Sequence, residues 1–176
     1  MKAFRFLNRL AGVGLGNQII DWSKGPWEDE PDFVEFIHKE TSYLVRAIRH
    51  DRTGHWNGYV GTPLEHPASK LSNQYELPER VFGAAYRGIS LVEKTGSHDL
   101  GFTPTDDGKN WTLFGFDTAH WNDAHPIYIA YKGNQDEVKT SLTIKGEEGY
   151  SYKSLKFVLE YCDELANQLK SMEEAK

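Results

Sequence analysis

Cysteine is nearly absent from this chain of 176 residues, with one copy, and methionine occurs twice. Cys162 therefore has no partner for an intrachain disulfide, and a zinc site built from paired cysteines is excluded, which makes a reducing interior the easier home. No apolar run approaches the ~20 residues that a membrane-spanning helix needs. Together with a mean hydropathy of −0.62, this excludes an integral helical membrane protein. Positive charge is the minority sign, 20 Lys and Arg against 26 Asp and Glu for a net charge of −6. A general duplex-DNA binder carries the opposite balance, because it displaces condensed counterions with Lys and Arg. No sequence-specific nucleic-acid partner is expected.

Aromatic residues are plentiful, with 9 Phe, 9 Tyr and 5 Trp. They are a large payload for burial, or for stacking on flat ligands where they stay exposed, and they argue against disorder. The length suits one domain, since a chain of ~150 residues buries roughly 68–70% of its unfolded surface without staples.

Residues 1–26 read as an N-terminal extension and 27–176 as a single α+β domain. The extension is basic, but AGVGLGNQII is too short and glycine-rich for the apolar core of a secretory signal. Gly12, Gly14 and Gly16 lack the preceding strand and the spacing of a dinucleotide-binding turn, so they read as a loop. Pro31 opens a predicted helix to about Glu40, with Phe33, Phe36 and Ile37 on one face. SYLVRAIRH (42–50) and WNGYVG (56–61) read as strands of a hairpin around Asp51, Arg52, Thr53 and Gly54. Residues 62–79, with three prolines, read as an ordered loop.

Three further strands are predicted at 81–94, 110–119 and 137–144, with a loop at 95–110. Leu155, Val158, Leu159, Cys162, Leu165, Ala166, Leu169 and Met172 recur at helical spacing and predict an amphipathic helix from about 152 to 174. Cys162 lies in that stripe as a small buried hydrophobe. The fold class is α+β: an antiparallel sheet packed against an N-terminal helix and a long C-terminal amphipathic helix.

Chemistry concentrates in two places. GFDTAHWNDAHP sets Asp117, His120, Asp123 and His125 close together after an apolar strand. His120 is the best acid–base candidate, since an ordinary imidazole titrates near ~6.5. Asp117 can equally accept backbone N–H groups in a turn. No metal is expected, because the spacing matches no metal-binding motif, and no cofactor is implied. Neither Ser90 nor Cys162 stands in a nucleophile motif. The second group is His55, Trp56, Tyr59 and His66, whose aromatics either stack on a base or fill the core. Arg87, between Tyr86 and Gly88, suits a phosphate or carboxylate. His98 and Trp121 are candidates for the same mouth, whereas Lys39, Arg46 and Arg49 mark a solvated face.

WEDEPD (27–32), NGYVGTPLEHP (57–67), YRGISL (86–91), FGFDTAHWND (114–123) and the final helix occur in the order of a family of small bacteriophage and prophage proteins, which this chain resembles over roughly residues 27–172. That family carries GYVG...HP, HGG-Ile/Leu-Thr-Tyr/Phe and GFDCAH...GD. Here Tyr86 stands at its His, Arg87 at its first Gly, Thr118 at its Cys and Asn122 at its Gly, while His66, Gly88, Asp117, Ala119, His120 and Asp123 match. The resemblance implies a phage or prophage source and a life in the host cytoplasm, and no established activity.

Three functions follow as expectations. The first is an accessory protein binding a nucleotide-like molecule such as a host defence signal, through Trp56, Tyr59, His66, Tyr86, Arg87, Gly88, Asp117, His120, Trp121 and Asp123. The second is a phosphoesterase-type hydrolase using His120, His66 and Asp117. The third is an acidic inhibitor of a host protein complex. Oligomeric state stays open.

Overall fold

The computed structural model describes residues 1–5, 7, 9, 12–13, 19–71, 73–94, 109–133, 138–143 and 150–174. In chain order the elements are β1 (Lys2–Phe4), β2 (Gly12–Val13), β3 (Ile19–Ile20), β4 (Phe33–Ile37), β5 (Leu44–Arg49), β6 (Trp56–Pro63), α1 (Glu79–Phe82), β7 (Leu91–Lys94), β8 (Trp111–Asp117), α2 (Pro126–Lys132), β9 (Thr140–Ser141), β10 (Tyr152–Lys153) and α3 (Leu155–Glu174). Two short 3₁₀ turns, Pro67–Lys70 and Gln74–Glu76, precede α1. A six-stranded antiparallel sheet runs β1-β4-β5-β6-β8-β7. With α3 it makes the fold α+β, as expected. Among the described residues, no helix is long and apolar enough to cross a membrane.

Several expectations change. Residues 31–40 form no helix; Phe33–Ile37 is a strand. Phe33, Phe36 and Ile37 fit helical spacing, but FVEFI also has strand propensity, and Asp32 and Glu35 reach arginines only from an extended segment. The strand expected at 81–94 keeps only Leu91–Lys94, because Pro78 opens the short α1 and turns carry 83–88. Of the strand at 137–144, Thr140–Ser141 is formed and pairs in parallel with β10, whereas residues 137 and 144 lie outside the described residues. So do most of the 95–110 loop with His98, and Gly14 and Gly16. Helix α3 begins at Leu155 rather than 152, capped where Phe157 N–H donates to Ser154 Oγ (3.2 Å).

Arg46 and Arg49 are the largest correction. Both are buried in the central strand β5, not solvated, while Lys39 is exposed as expected. Burying a guanidinium is tolerated only with matched acceptors, and each has them. Arg46 donates through Nε (2.8 Å) and Nη2 (2.5 Å) to Glu35 Oε2. Arg49 donates to Glu30 Oε2 (2.7 Å) and to the Gly54 carbonyl (2.6 Å), with Asp32 Oδ1 3.2 Å from its Nε.

The chain forms two compact units. The first comprises Met1–Val34, Ala47–Asn57 and Asp117–Glu160. Strand β1 is an edge of the sheet, Trp22 is buried, and Arg9 donates to Asp32 Oδ1 (2.6 Å) and to the carbonyls of Trp27 (3.0 Å) and Glu30 (2.8 Å). Glu30 gathers the rest of this unit. Its Oε2 accepts from Arg49, Trp56 Nε1 (3.1 Å) and the Tyr152 hydroxyl, and its Oε1 from the Leu155 N–H at the start of α3 (2.8 Å), where a negative charge also suits the helix dipole. Burial pushes the Tyr152 phenol far above its ordinary range, so it stays a donor.

The second unit comprises Glu35–Arg46, Gly58–Phe116 and Tyr161–Lys176. Leu44, Trp111 and Leu113 form a buried cluster, and α3 contributes Cys162, Leu165, Ala166 and Leu169 to its interior. Burial pushes the Cys162 thiol up to about 12, which keeps it an inert core residue.

Candidate functional site

The segment after β8 is held through Asp117, Thr118, His120 and Asp123. Asp117 Oδ1 accepts the Ala119 N–H (2.8 Å), closing an Asx turn at the strand end. Thr118 is locked to β6: its N–H donates to the Trp56 carbonyl (2.9 Å) and its Oγ accepts the Trp56 N–H (3.1 Å). The chain then bends, so that Asp123 Oδ2 accepts from both the backbone N–H (2.9 Å) and Nδ1 (3.2 Å) of His120. Between them Trp121 projects outward, 91% exposed. Ala124 N–H donates to the Ser151 carbonyl (3.0 Å), and Asp123 and Ser151 form a parallel bridge.

His120 and Asp123 differ in burial, and that difference gives the pair direction. The Asp123 side chain is closed to solvent while His120 is 31% exposed. A buried carboxylate that accepts Nδ1–H orients the ring and assigns its tautomer, leaving Nε2 as the acceptor of the neutral imidazole. Inward of Asp123 lies Lys153, buried, with Nζ 3.7 Å from Asp123 Oδ1.

His125 follows at once and starts α2. It is the N-cap, Pro126 is the first helical residue, and Gly133 closes the helix in a left-handed conformation. The His125–Pro126 step is thus a helix start. The His125 ring lies 5.3 Å from that of His55, which in turn stacks on His50 at 4.7 Å with 14° between planes. Thr53 Oγ1 contacts His55 Nδ1 (2.6 Å) and His50 Nδ1 (3.1 Å). Burial, then the neighbouring His125 and His50, push His55 down to about 3, and burial pushes His125 down as well. Among the described residues, neither nitrogen of His125 has a hydrogen-bond partner. Among the described residues, no three His, Cys, Asp or Glu side chains are placed to hold a metal ion.

Trp56 belongs to this first unit but not to its surface. It is fully buried, and the Arg49 guanidinium lies over its ring at 4.3 Å. The indole is a wall of the Glu30 network rather than a platform for a base.

The other sequence candidates lie in the second unit. His66 is buried and caps a 3₁₀ turn: Nδ1 accepts the Ala68 N–H (3.1 Å) and Nε2 faces the Leu169 carbonyl (3.1 Å). Both nitrogens are engaged by backbone, which is a structural role. Tyr59 is half-buried on β6. Tyr86 is buried edge-on against Tyr161, ring centroids 5.4 Å apart. Arg87 is exposed, in a turn and not in a strand, with φ of 55° and its guanidinium 5.3 Å from the Tyr86 ring centre. Gly88 has φ of 98°, and a Cβ there would come within 2.5 Å of Phe82. The glycine is therefore required by the turn itself.

Asp117, His120, Trp121 and Asp123 are thus brought together in one short segment, and Tyr86, Arg87 and Gly88 in another. Sequence reasoning missed Lys153 and the cluster of His50, His55 and His125. Lys153 carried no local signal; the histidines stood in the sequence, but only the turn at 51–54 and the start of α2 make them neighbours. No protein-family model, curated protein or solved structure matches this chain.

Proposed function

We propose that this chain is a phage-type accessory protein of the host cytoplasm that binds a nucleotide-like small molecule at its 117–125 segment. One observation carries the reading: an indole exposed over nine-tenths of its surface stands beside an imidazole anchored by a buried carboxylate. A fully exposed Trp has no structural reason to be rigidly flanked, whereas a flat ligand gains from both a stacking face and a fixed polar edge. Calorimetric titration against cyclic dinucleotides, ADP-ribose derivatives and mononucleotides tests it. A binding response that Trp121→Ala weakens by roughly 5- to 150-fold is expected, from the ~1–3 kcal/mol of base–aromatic stacking. No response across the panel overturns the reading.

The Asp123–His120 contact also favours a second reading, in which His120 acts as general acid–base on a phosphoester. His66 has no part in it, since backbone occupies its ring. Mass spectrometry of the same nucleotides after incubation separates the two. Quantitative recovery of intact ligand excludes turnover of that ligand.

A further inference from the structure

We infer that the His50, His55 and His125 rings form an acid-operated latch: proton uptake in the cluster parts the 50–55 turn from the start of α2 and loosens the 117–125 segment that ends there, short of global unfolding. This deepens the ligand-binding reading by giving that segment a pH control; it rests on that reading for what the control acts on, but not for the latch itself.

The latch joins two stretches of chain that are distant in sequence. His50 follows β5, His55 precedes β6, and His125 is the N-cap of α2. The His50 and His55 rings lie 4.7 Å apart and 14° from parallel, and the His125 ring lies 5.3 Å from that of His55. The backbones meet as well. The Ile127 N–H donates to the Thr53 carbonyl (3.3 Å), and a Cβ on Gly54 would come within 2.9 Å of Pro126. Turn and helix start therefore touch, and parting them parts His55 from His125.

Neutral rings can pack in this way, whereas charged ones cannot do so without cost. Burial disfavours an imidazolium, and a second positive group within ~4–6 Å adds repulsion. On His55 burial acts first, then His125 and His50, with Arg49 in the same direction, while a hydrogen bond with Asn57 of β6 favours the charged ring. The turn adds Asp51, an exposed carboxylate with Oδ1 3.7 Å from His50 Nδ1. On the α2 side Asp123 and Asp117 favour a charge on His125, His50 and His120 oppose it, and the Tyr128 ring centre lies 5.5 Å away. Burial outweighs the carboxylates, since His125 is pushed down. A ring that reaches water takes the proton at its ordinary value, so acid favours the parted state.

The closed state is also incompletely satisfied. Both nitrogens of His125 are buried without a partner among the described residues, and a ring that leaves gains water bonds that offset part of the cost of opening. Helix α2 spans 7 residues and the strand after it two. A helix this short is marginal without its packing, which makes it a unit that can open below the global free energy.

Hydrogen exchange of the full chain at pH 7.5 and pH 5, with rates divided by the intrinsic chemical rate at each pH, tests the latch. A ring held at about 3 when closed and titrating near ~6.5 when open should open roughly 30-fold more often at the lower pH. Residues 50–57 and 124–130 are expected to show that rise and, at both pH values, to exchange faster than the α3 core at 156–170. His55→Gln is expected to remove most of the rise, with His125 supplying the remainder. Protection equal in all three stretches means that the rings charge only on global unfolding and overturns the inference, as does a full rise in folded His55→Gln. If that variant does not fold, His125→Gln replaces it, with a rise smaller than in the wild type expected and an unchanged one overturning the inference. Failure of the nucleotide panel would remove the binding reading while leaving the exchange result standing, so the two failures are distinguishable.

Discussion

His55 makes stability fall with acid in a window where carboxylates are still ionised. Its ring is buried, contacts Thr53 Oγ1 at 2.6 Å, and lies between the His50 and His125 rings at 4.7 and 5.3 Å. Burial, then those two neighbours, hold the folded ring at about 3 against 6.5 in the ordinary state. The unfolded chain therefore binds the proton more readily. The contribution of His55 is fully present above the unfolded value and is lost as pH falls from ~6.5 toward ~3, at ~1.4 kcal/mol per pH unit. Moving from pH 7.5 to 5 costs about 2 kcal/mol, or roughly 4–8 °C in Tm for a chain of this size.

Urea unfolding at several pH values between these limits measures the loss, and His55→Gln assigns it. Ordinary Asp and Glu titrate near ~4, below the window. His125 is also pushed down by burial and contributes in the same direction, so a residual slope is expected in the variant. Between pH 7.5 and 5 the variant should lose about 2 kcal/mol less than the wild type, its slope shallower by about 1.4 kcal/mol per pH unit only near pH 5, even if its absolute stability is lower. A wild type whose stability is flat from pH 7.5 to 5, or a variant with the wild-type slope, would refute the stacked-histidine argument.

Asp32→Ala should cost about 3–5 kcal/mol in urea unfolding, because Asp32 is fully buried between Arg9 and Arg49 and its loss takes a carboxylate from each of the two buried guanidinium groups; a loss below about 1 kcal/mol would mean that the network is relaxed in solution. Gly115→Ala in β8 should destabilise by about 1–3 kcal/mol, since the added Cβ would lie 2.6 Å from the Tyr59 ring. A Gly115→Ala protein as stable as the wild type would show that the ring does not lie there. Iodide should quench the fluorescence of Trp121 and leave Trp22, Trp27, Trp56 and Trp111 shielded, because only Trp121 is exposed; quenching that survives Trp121→Phe would contradict that arrangement.

Regular elements were legible where one local pattern dominated. The β-branched run of β5, the turn residues 51–54, the strand β8 and the helical stripe of α3 each fold as their periodicity indicates. Residues 33–37 were not, because five residues with Phe at first and fourth positions and Ile at the fifth satisfy a helical and an extended template alike, and the choice is made by ion pairs that a window cannot contain. Arg46 and Arg49 show why. Read locally, an arginine in a strand is a solvated one; what buries these two is the set Glu30, Asp32 and Glu35, brought alongside by the pairing of β4 with β5.

The same logic explains which part of the site could be read. Asp117, His120, Trp121 and Asp123 are close in sequence, so their density alone marked the segment. Which role each plays is set by burial, and burial is a property of the whole chain: it turns Trp56 and His66 into structural residues, leaves Trp121 bare, and places Lys153 behind Asp123. A side chain that acts through another group needs no neighbour in sequence, only one in space. The residues that support a site are thus harder to read than those that line it, because only the folded chain brings Lys153 to within 3.7 Å of Asp123.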